Sequence, residues 1–357
     1  MDVSKMAEPQ VTIVVVPRER FSLTQKSLES IYENTTIPFK LIYVDGGSPA
    51  RIRDYLAAQA REKNFQLIRT DYYPSPNYAR NLGLAQVNTE YVVFMDNDVV
   101  VAPNWLNNLV QCAEEKGAAV VSPLVCQGQA LHEIVHCAGG ESAVIEENKG
   151  DRPTRRLHDK IYKQGKRVAD LGDFLQRQPT GLAEFHCMLV RTAIIEEIGG
   201  QLDPAMMNTK EHVDFCVAVS EAGGSIYLEP TSLVTYINGM PLELSEIPFY
   251  MVRWSDAWGT TSLNRLREKW NLTEDKYHQN WYRSWSEYLT GRRRVFIIRP
   301  LLNKYYVFGR GKTRLENMLV RMEKRLNRYL TDRHTRKHRQ EVQQQPTKSL
   351  PKTPVSA

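Results

Sequence analysis

Cysteine is scarce in these 357 residues and follows no pattern: Cys112, Cys126, Cys137, Cys187 and Cys216 are odd in number and scattered, with no Cys-x-x-Cys pair. That excludes a disulfide framework and predicts reduced thiols, mostly in the core. Long apolar runs are missing as well. Nothing is long enough to cross a bilayer, and Met1 to Gln10 lacks the apolar stretch of a signal peptide, so the expectation is a cytoplasmic protein. Glycine is absent where a nicotinamide enzyme needs it. The first apolar run ends in Pro17-Arg18-Glu19-Arg20 rather than G-x-G-x-x-G, and that class drops out. No internal repeat is present.

What is there divides unevenly. From Arg292 to Arg339 there are 16 Lys or Arg against three acids, a net of +13, so the remainder carries −7 of the total of +6. A mildly acidic body followed by a basic segment suits an anionic surface such as phospholipid headgroups. Leu315, Met318, Leu319, Met322, Leu326 and Leu330 form a helical stripe there, with Arg314, Arg321, Lys324, Arg325 and Arg328 on the polar side. A basic amphipathic helix of this kind can lie on a membrane, although a packing helix with a solvated basic face has the same pattern. No reader motif accompanies the charge, so no nucleic-acid partner is expected.

Val11 to Val16 and Lys40 to Val44 are buried-strand runs, stopped by Pro17 and by Asp45-Gly46-Gly47. Leu23, Leu28 and Ile31 between them have helical spacing behind a Ser22 cap. A helix at Ala50 to Lys63, a strand at Gln66 to Arg69, a helix around Tyr78 to Ala85 and a strand at Tyr91 to Met95 repeat the alternation. Such alternation means an α/β fold with a mostly parallel, Rossmann-like sheet flanked by helices. A strand at Ala118 to Ser122 follows a helix at Trp105 to Cys112. The polar stretch Gln127 to Arg177 reads as an excursion over the site. Further elements are a strand at Phe185 to Val190, helices at Thr192 to Ile198 and Glu211 to Ala222, and a strand at Ser225 to Glu229. Aromatic helical material runs from Phe249 to Leu289. The expected division is an arm over 1–10, a catalytic domain over 11–240, a basic helical C-terminal extension over 241–335 and a disordered tail over 336–357.

Sites in such sheets lie beyond the carboxyl ends of the strands, and there the sequence places Asp45 and Asp96-Asn97-Asp98. Two carboxylates on a tight turn after a buried strand are oxygen ligands for a hard divalent cation, which would offset the charge of a departing diphosphate. The tripeptide alone is also an ordinary polar turn; its position after the fourth strand makes the difference.

At this point the sequence resembles the family 2 glycosyltransferases of GT-A fold. The residues that carry the resemblance are Val11 to Pro17, Val44-Asp45-Gly46-Gly47-Ser48, Asn77-Tyr78-Ala79-Arg80-Asn81-Leu82-Gly83, Phe94-Met95-Asp96-Asn97-Asp98, Gly199-Gly200 to Asp203, and Glu211-His212-Val213-Asp214-Phe215. They extend over Val11 to Tyr236. The resemblance implies a nucleotide-sugar donor, Mn2+ or Mg2+ at Asp96 and Asp98, and inverting transfer to a hydroxyl of a glycan or lipid-linked acceptor. It implies donor contacts from Pro17, Arg18, Glu19, Asp45, Arg80, Asp96, Asn97 and Asp98, and acceptor-side roles for Glu184 and Asp214. The family's acidic pair for the catalytic base reads Glu211-His212 here; Glu211 is preferred and His212 stays open. A late metal-ligating histidine is replaced by the segment holding Tyr236 and Asn238. The altered pair also keeps a non-catalytic, nucleotide-sugar-binding relative in view.

One motif competes. His132-Glu133-Ile134-Val135-His136 is a literal H-E-x-x-H, which on a helix would present two histidines to zinc for hydrolysis. The third histidine of its extended form is absent, since that position is Ser142, and a zinc hydrolase would leave Asp45, Arg80 and Asp96 to Asp98 unexplained. A nucleotidyltransferase of related architecture, which would release diphosphate, is the other rival.

Overall fold

Strands whose residues are apolar on both faces need cover on both sides, and the chain supplies it by alternating strand and helix. The computed structural model describes residues 8–148, 153–304 and 310–343. In chain order the body comprises β1 (Val11–Val16), α1 (Thr24–Asn34), β2 (Phe39–Gly46), α2 (Ala50–Lys63), β3 (Gln66–Thr70), α3 (Pro76–Leu84), β4 (Tyr91–Asp96), β5 (Val99–Val101), α4 (Trp105–Lys116), β6 (Val120–Gln127), β7 (Ile134–Cys137), β8 (Gly140–Asn148), β9 (Pro153–Ile161), β10 (Gln178–Pro179), β11 (Cys187–Arg191), α5 (Thr192–Glu197), α6 (Glu211–Glu221) and β12 (Ile226–Tyr236). The C-terminal extension is helical: α7 (Ile247–Arg253), α8 (Asp256–Lys269), α9 (Lys276–Arg293), α10 (Arg299–Lys304) and α11 (Arg310–Gln343).

The main sheet has the order β10-β12-β6-β11-β4-β1-β2-β3, with β5 on β12 and β7 on β6. Strands β4, β1, β2 and β3 are parallel to one another, whereas β11 runs antiparallel between β4 and β6. All six residues of β1 and of β4 are buried. Helix α3 presses directly on β1: a Cβ at Gly83 would sit 2.4 Å from Val14 Cγ1, so only glycine lets the helix that carries Arg80 come this close. All five cysteines are free and buried, as expected.

Several elements depart from the sequence reading. Ser22 does not cap α1 through its side chain; the cap position is Leu23, and the N–H groups of Phe21 and Ser22 donate to Glu246 Oε1 at 2.7 and 2.6 Å. The stretch expected only as an excursion contains β7 and a hairpin of β8 with β9. Strand β12 continues past Glu229 to Tyr236 through an irregularity between Glu229 and Leu233, where Pro230 interrupts the sequence signal. The tail expected from 336 begins as helix, since α11 runs to Gln343; residues 344–357, like 1–7 of the N-terminal arm, lie outside the described residues.

Helix α11 packs mainly by a polar face; of the two readings its pattern allowed, this is the one with most of the apolar stripe outward. Its buried face is Glu316, Glu323, Asn327 and Thr331, while Met318, Met322, Leu326 and Tyr329 are exposed. Polar partners explain the choice: Arg293 Nε is 2.7 Å from Glu323, Asn327 Nδ2 donates to the Met251 carbonyl at 2.6 Å, and Arg294 and Arg299 hold Glu316 at 2.6 and 3.0 Å. Among the described residues no helix is long and apolar enough to cross a membrane.

Candidate active site

The chain leaves the sheet at the carboxyl ends of β1, β2 and β4, and these exits bring the expected donor residues together. Asn97 ties two of them. Its Oδ1 accepts from the Arg18 N–H at 3.1 Å and its Nδ2 donates to the Arg20 carbonyl at 2.8 Å. The middle residue of the turn was expected to touch donor; it is instead a staple between the β4 turn and the loop after β1, because those backbone groups have no strand partner once the chain leaves the sheet. Pro17 is buried, and its Cγ would be 2.7 Å from a Cβ at Gly46, which packs the two strand ends side by side.

Glu19 is also spent internally. It is fully buried and receives the Tyr236 O–H at 3.0 Å, the Trp254 indole N–H at 3.0 Å and Arg292 Nη2 at 2.6 Å. Burial alone would raise its pKa, but Arg292, Arg18 and Arg20 pull it down to about 2. Asp45 has one oxygen on the Ser48 N–H at 3.0 Å and the other on the Arg69 guanidinium. Both acids were expected to face the donor directly; here Glu19 anchors the C-terminal extension and Asp45 holds a half-exposed arginine at the rim.

Asp96 sits among cations. Oδ1 accepts from Arg80 at 3.1 Å, while Oδ2 accepts from Arg18 at 3.1 Å and lies 3.2 Å from His186 Nδ1. Although burial opposes ionisation, His186, Arg18 and Arg80 hold the carboxyl well below its usual range. Arg80 is positioned by Asn77 Oδ1 at 3.1 Å and lies 4.0 Å over the Phe185 ring. Asp98 is the opposite case. It is fully buried, and neither carboxylate oxygen has a partner among the described residues. Burial pushes its pKa well above the ordinary value, with Arg18 opposing. A buried carboxylate without donors is costly, and a cation is what satisfies it. Asp96, Asp98 and His186 offer ligand atoms within 4.8 Å of one another. The residues present therefore fit a divalent ion.

His186 was missed in the sequence. It precedes β11, whose Cys187 pairs with Met95, so the antiparallel register delivers it to the β4 turn. Its ring stacks on Tyr236 at 4.1 Å and has Arg18 Nη1 at 2.7 Å. Burial and the Arg18 charge lower its pKa to about 4, so the ring is neutral. No strand periodicity signals His186, because Glu184-Phe185-His186 form a turn in which the Cys187 N–H donates to the Glu184 carbonyl at 3.2 Å.

Glu184 lies 3.0 Å from His136 Nε2, 3.4 Å from His186 Nε2 and 3.9 Å from His212 Nε2. Burial is outweighed by His136, His212 and His186, and its pKa falls well below the usual range. At the start of α6, Glu211 is paired with Arg253 at 3.3 Å. His212 remains one-fifth exposed, and burial lowers its pKa against the pull of Glu184 and Glu211. Asp214, expected near the acceptor, is held by Lys269 Nζ and the Trp270 indole, each at 2.8 Å; it fastens α8 to α6. Of the late residues, Tyr236 serves Glu19 and Asn238 Nδ2 donates to Gln127 Oε1 at 3.4 Å.

The H-E-x-x-H segment does not form its helix. Ile134 to His136 belong to β7, while His132 lies in a turn with φ of 63° and is bonded to Thr235 Oγ1 through its N–H and its ring, both at 2.8 Å. The two histidines share no helix face, and the zinc-hydrolase arrangement is overturned.

The family model described as "Glycosyl transferase family 2" matches residues 12–199. The chain is similar to the pre-mycofactocin glycosyltransferase of Mycobacterium tuberculosis strains CDC 1551 / Oshkosh and ATCC 25618 / H37Rv, 27% identical over 228 residues, which is 63% of this chain and 42% of that protein. The chain thus spans less than half the length of these relatives. Among solved structures it is similar to GalNAc-T7 with UDP, GalNAc and Mn2+ (14% identity, TM-score 0.48, 76% of this chain and 56% of the other). The mannosyltransferase PcManGT from Pyrobaculum calidifontis with GDP-Man and Mn2+ is also similar (14% identity, TM-score 0.47, 90% and 85%). Since the matched segment covers just over half of the chain and contains the β1, β2 and β4 exits, this protein belongs to glycosyl transferase family 2.

Proposed function

We propose that this protein transfers a sugar from a nucleotide-sugar donor to an acceptor hydroxyl, by direct displacement with inversion, using Mn2+ or Mg2+ held by Asp96 and Asp98. The observation that carries this reading is Asp98, whose two buried oxygens have no partner among the described residues and lie beside Asp96 where β4 ends. A bound divalent ion would act there as a Lewis acid on the diphosphate. Arg18 and Arg80 flank Asp96 at 3.1 Å and supply fixed positive charge for the same phosphates. His212 is the preferred base, because Glu211 is committed to Arg253 while the His212 ring is neutral at pH 7 and partly open. In the step, the acceptor oxygen bonds the anomeric carbon as its proton passes to His212 and the carbon–phosphate oxygen bond breaks. The nucleoside diphosphate leaves with the bonding pair. The exposed stripe Met318, Met322, Leu326 and Tyr329 beside basic side chains supports an acceptor presented at an anionic membrane.

The test is calorimetric titration of a panel of nucleoside diphosphates, with and without Mn2+, into wild type and Asp96→Ala/Asp98→Ala. Metal-dependent binding of one nucleotide, lost in the double variant, is expected. Failure of every nucleotide to bind wild type in the presence of Mn2+ would remove the reading. Loss of turnover in His212→Ala with donor binding intact separates an enzyme from a non-catalytic binder.

A further inference from the structure

Three imidazoles surround a single carboxylate on the side of the site away from the Asp98 oxygens, and the transfer chemistry above uses only one of them. Glu184 Oε2 is 3.0 Å from His136 Nε2 and 3.4 Å from His186 Nε2, and Glu184 Oε1 is 3.9 Å from His212 Nε2. The far nitrogens of the first two rings face acceptors. His136 Nδ1 is 3.0 Å from Gln127 Oε1, an oxygen that also accepts from Asn238 Nδ2 at 3.4 Å. His186 Nδ1 is 3.2 Å from Asp96 Oδ2. In the tautomer whose Nδ1–H donates to such an acceptor, Nε2 carries the ring's lone pair. In that tautomer two lone pairs and a carboxylate converge on one place, an arrangement that a shared cation would satisfy. Arg18 Nη1 lies 2.7 Å from His186 Nε2 itself and 3.1 Å from Asp96 Oδ2, so its guanidinium is the cation now at this ring and an incoming ion would take its place there.

We infer that His136 Nε2, Glu184 Oε2 and His186 Nε2 form a second cation site, selective for a zinc-class ion, with the fourth position left to solvent. The ligand atoms of His136, Glu184 and His186 all lie within 4.8 Å of one another. Ligands about 2.1 Å from one tetrahedral ion are about 3.4 Å apart, and the two Glu184 pairs measure 3.0 and 3.4 Å. Two nitrogens and one oxygen suit zinc and its neighbours, whereas the carboxylates Asp96 and Asp98 suit Mn2+ or Mg2+. The second layer is built as such sites require, since Gln127 and Asp96 orient the two rings from behind. His136 thus becomes a ligand from a strand, with partners unrelated to His132. The site does not depend on the transfer reaction.

The experiment uses the full chain, stripped with chelator, and titrates Zn2+ by calorimetry and Co2+ by visible absorption. Wild type is expected to show a zinc-binding component and the Co2+ bands of a four-coordinate ion. In His136→Ala, His136→Gln and Glu184→Gln that component should weaken by at least ~10-fold, while Asp98→Asn leaves it intact. Mn2+-dependent nucleoside diphosphate binding should respond in reverse, lost in Asp98→Asn and kept in both His136 variants. No zinc component in wild type, one indifferent to both His136 variants, or one abolished by Asp98→Asn would overturn the second site. Absence of nucleotide binding with the zinc pattern intact would overturn the proposed transfer alone.

Discussion

At the scale of single residues, the site sets two carboxylates against each other. Glu19 is saturated with donors and Asp98 has none among the described residues. The Glu19 pKa of about 2 lies below the unfolded value of 4.5, so the unfolded chain binds more protons across that window. The resulting stability is present above about pH 4.5 and is lost as pH falls toward 2, and a depression of this size corresponds to about 3 kcal/mol. Glu19→Gln should therefore lower unfolding free energy by about 3 kcal/mol at pH 7, and the gap from wild type should narrow between pH 5 and pH 3 in denaturant titrations. Asp98→Asn should do the reverse without metal. Removing a buried, unpartnered charge is expected to stabilise chelator-treated protein by about 1–2 kcal/mol, while the rise in melting temperature that Mn2+ gives wild type disappears. An unchanged or lower melting temperature in chelator would contradict this account of Asp98. Asp96 and Asp98 were legible in the sequence because a carboxylate turn after a buried strand is a local pattern. His186 was not, since its place depends on an antiparallel pairing between segments far apart in the chain.

At the scale of elements, local periodicity served where a single helix or strand buries one continuous face. The limits of α2 match those expected, and α6 starts at the expected residue, Glu211. It failed where tertiary partners overrode local preference. The 132–136 segment has apolar spacing compatible with a helix, but β6 offers Ile134 and Val135 a ladder, and β7 forms instead. In α11 the pattern left open whether the apolar stripe packs or faces outward, and it faces largely outward because Arg293 and the Met251 carbonyl take polar partners at Glu323 and Asn327. That packing leaves an apolar and basic face outward. Wild type should co-sediment with vesicles containing anionic phosphatidylserine and be released by salt, since surface attraction is screened. Met322→Glu/Leu326→Glu should weaken binding by at least about ten-fold, given ~1.5 kcal/mol or more per buried apolar side chain. Equal sedimentation of the double variant would show that this face does not meet lipid.

At the scale of the whole molecule, the boundary expected near residue 240 separates two parts of the sequence but not two parts of the site. The extension supplies Arg253 to Glu211, Trp254 and Arg292 to Glu19, and Glu246 to the start of α1. Composition could reveal that 241–335 is helical and basic; it could not reveal that Arg292 reaches Glu19 in the loop after β1, because the contact is set by docking of α7 and α9 rather than by any local signal. A chain ended after residue 240 leaves Glu19 buried without its main counter-charge, a loss of about 3–5 kcal/mol from one pair. Such a fragment should lack a cooperative melting transition and bind no nucleoside diphosphate, as calorimetry would read. A fragment melting as sharply as the full chain would show that the extension is dispensable.

The same pair bears on the protein's synthesis. Arg292 and Glu19 are separated by 273 positions. On the ribosome, the loop that carries Glu19 emerges long before the side chain that neutralises it. Until α9 is made, the nascent body has a carboxylate it cannot bury at low cost, so the loop after β1 settles only after most of the chain exists. A prematurely ended product would keep Glu19 without its Arg292 partner, so the ion pair ties the order of the β1 loop to the synthesis of α9.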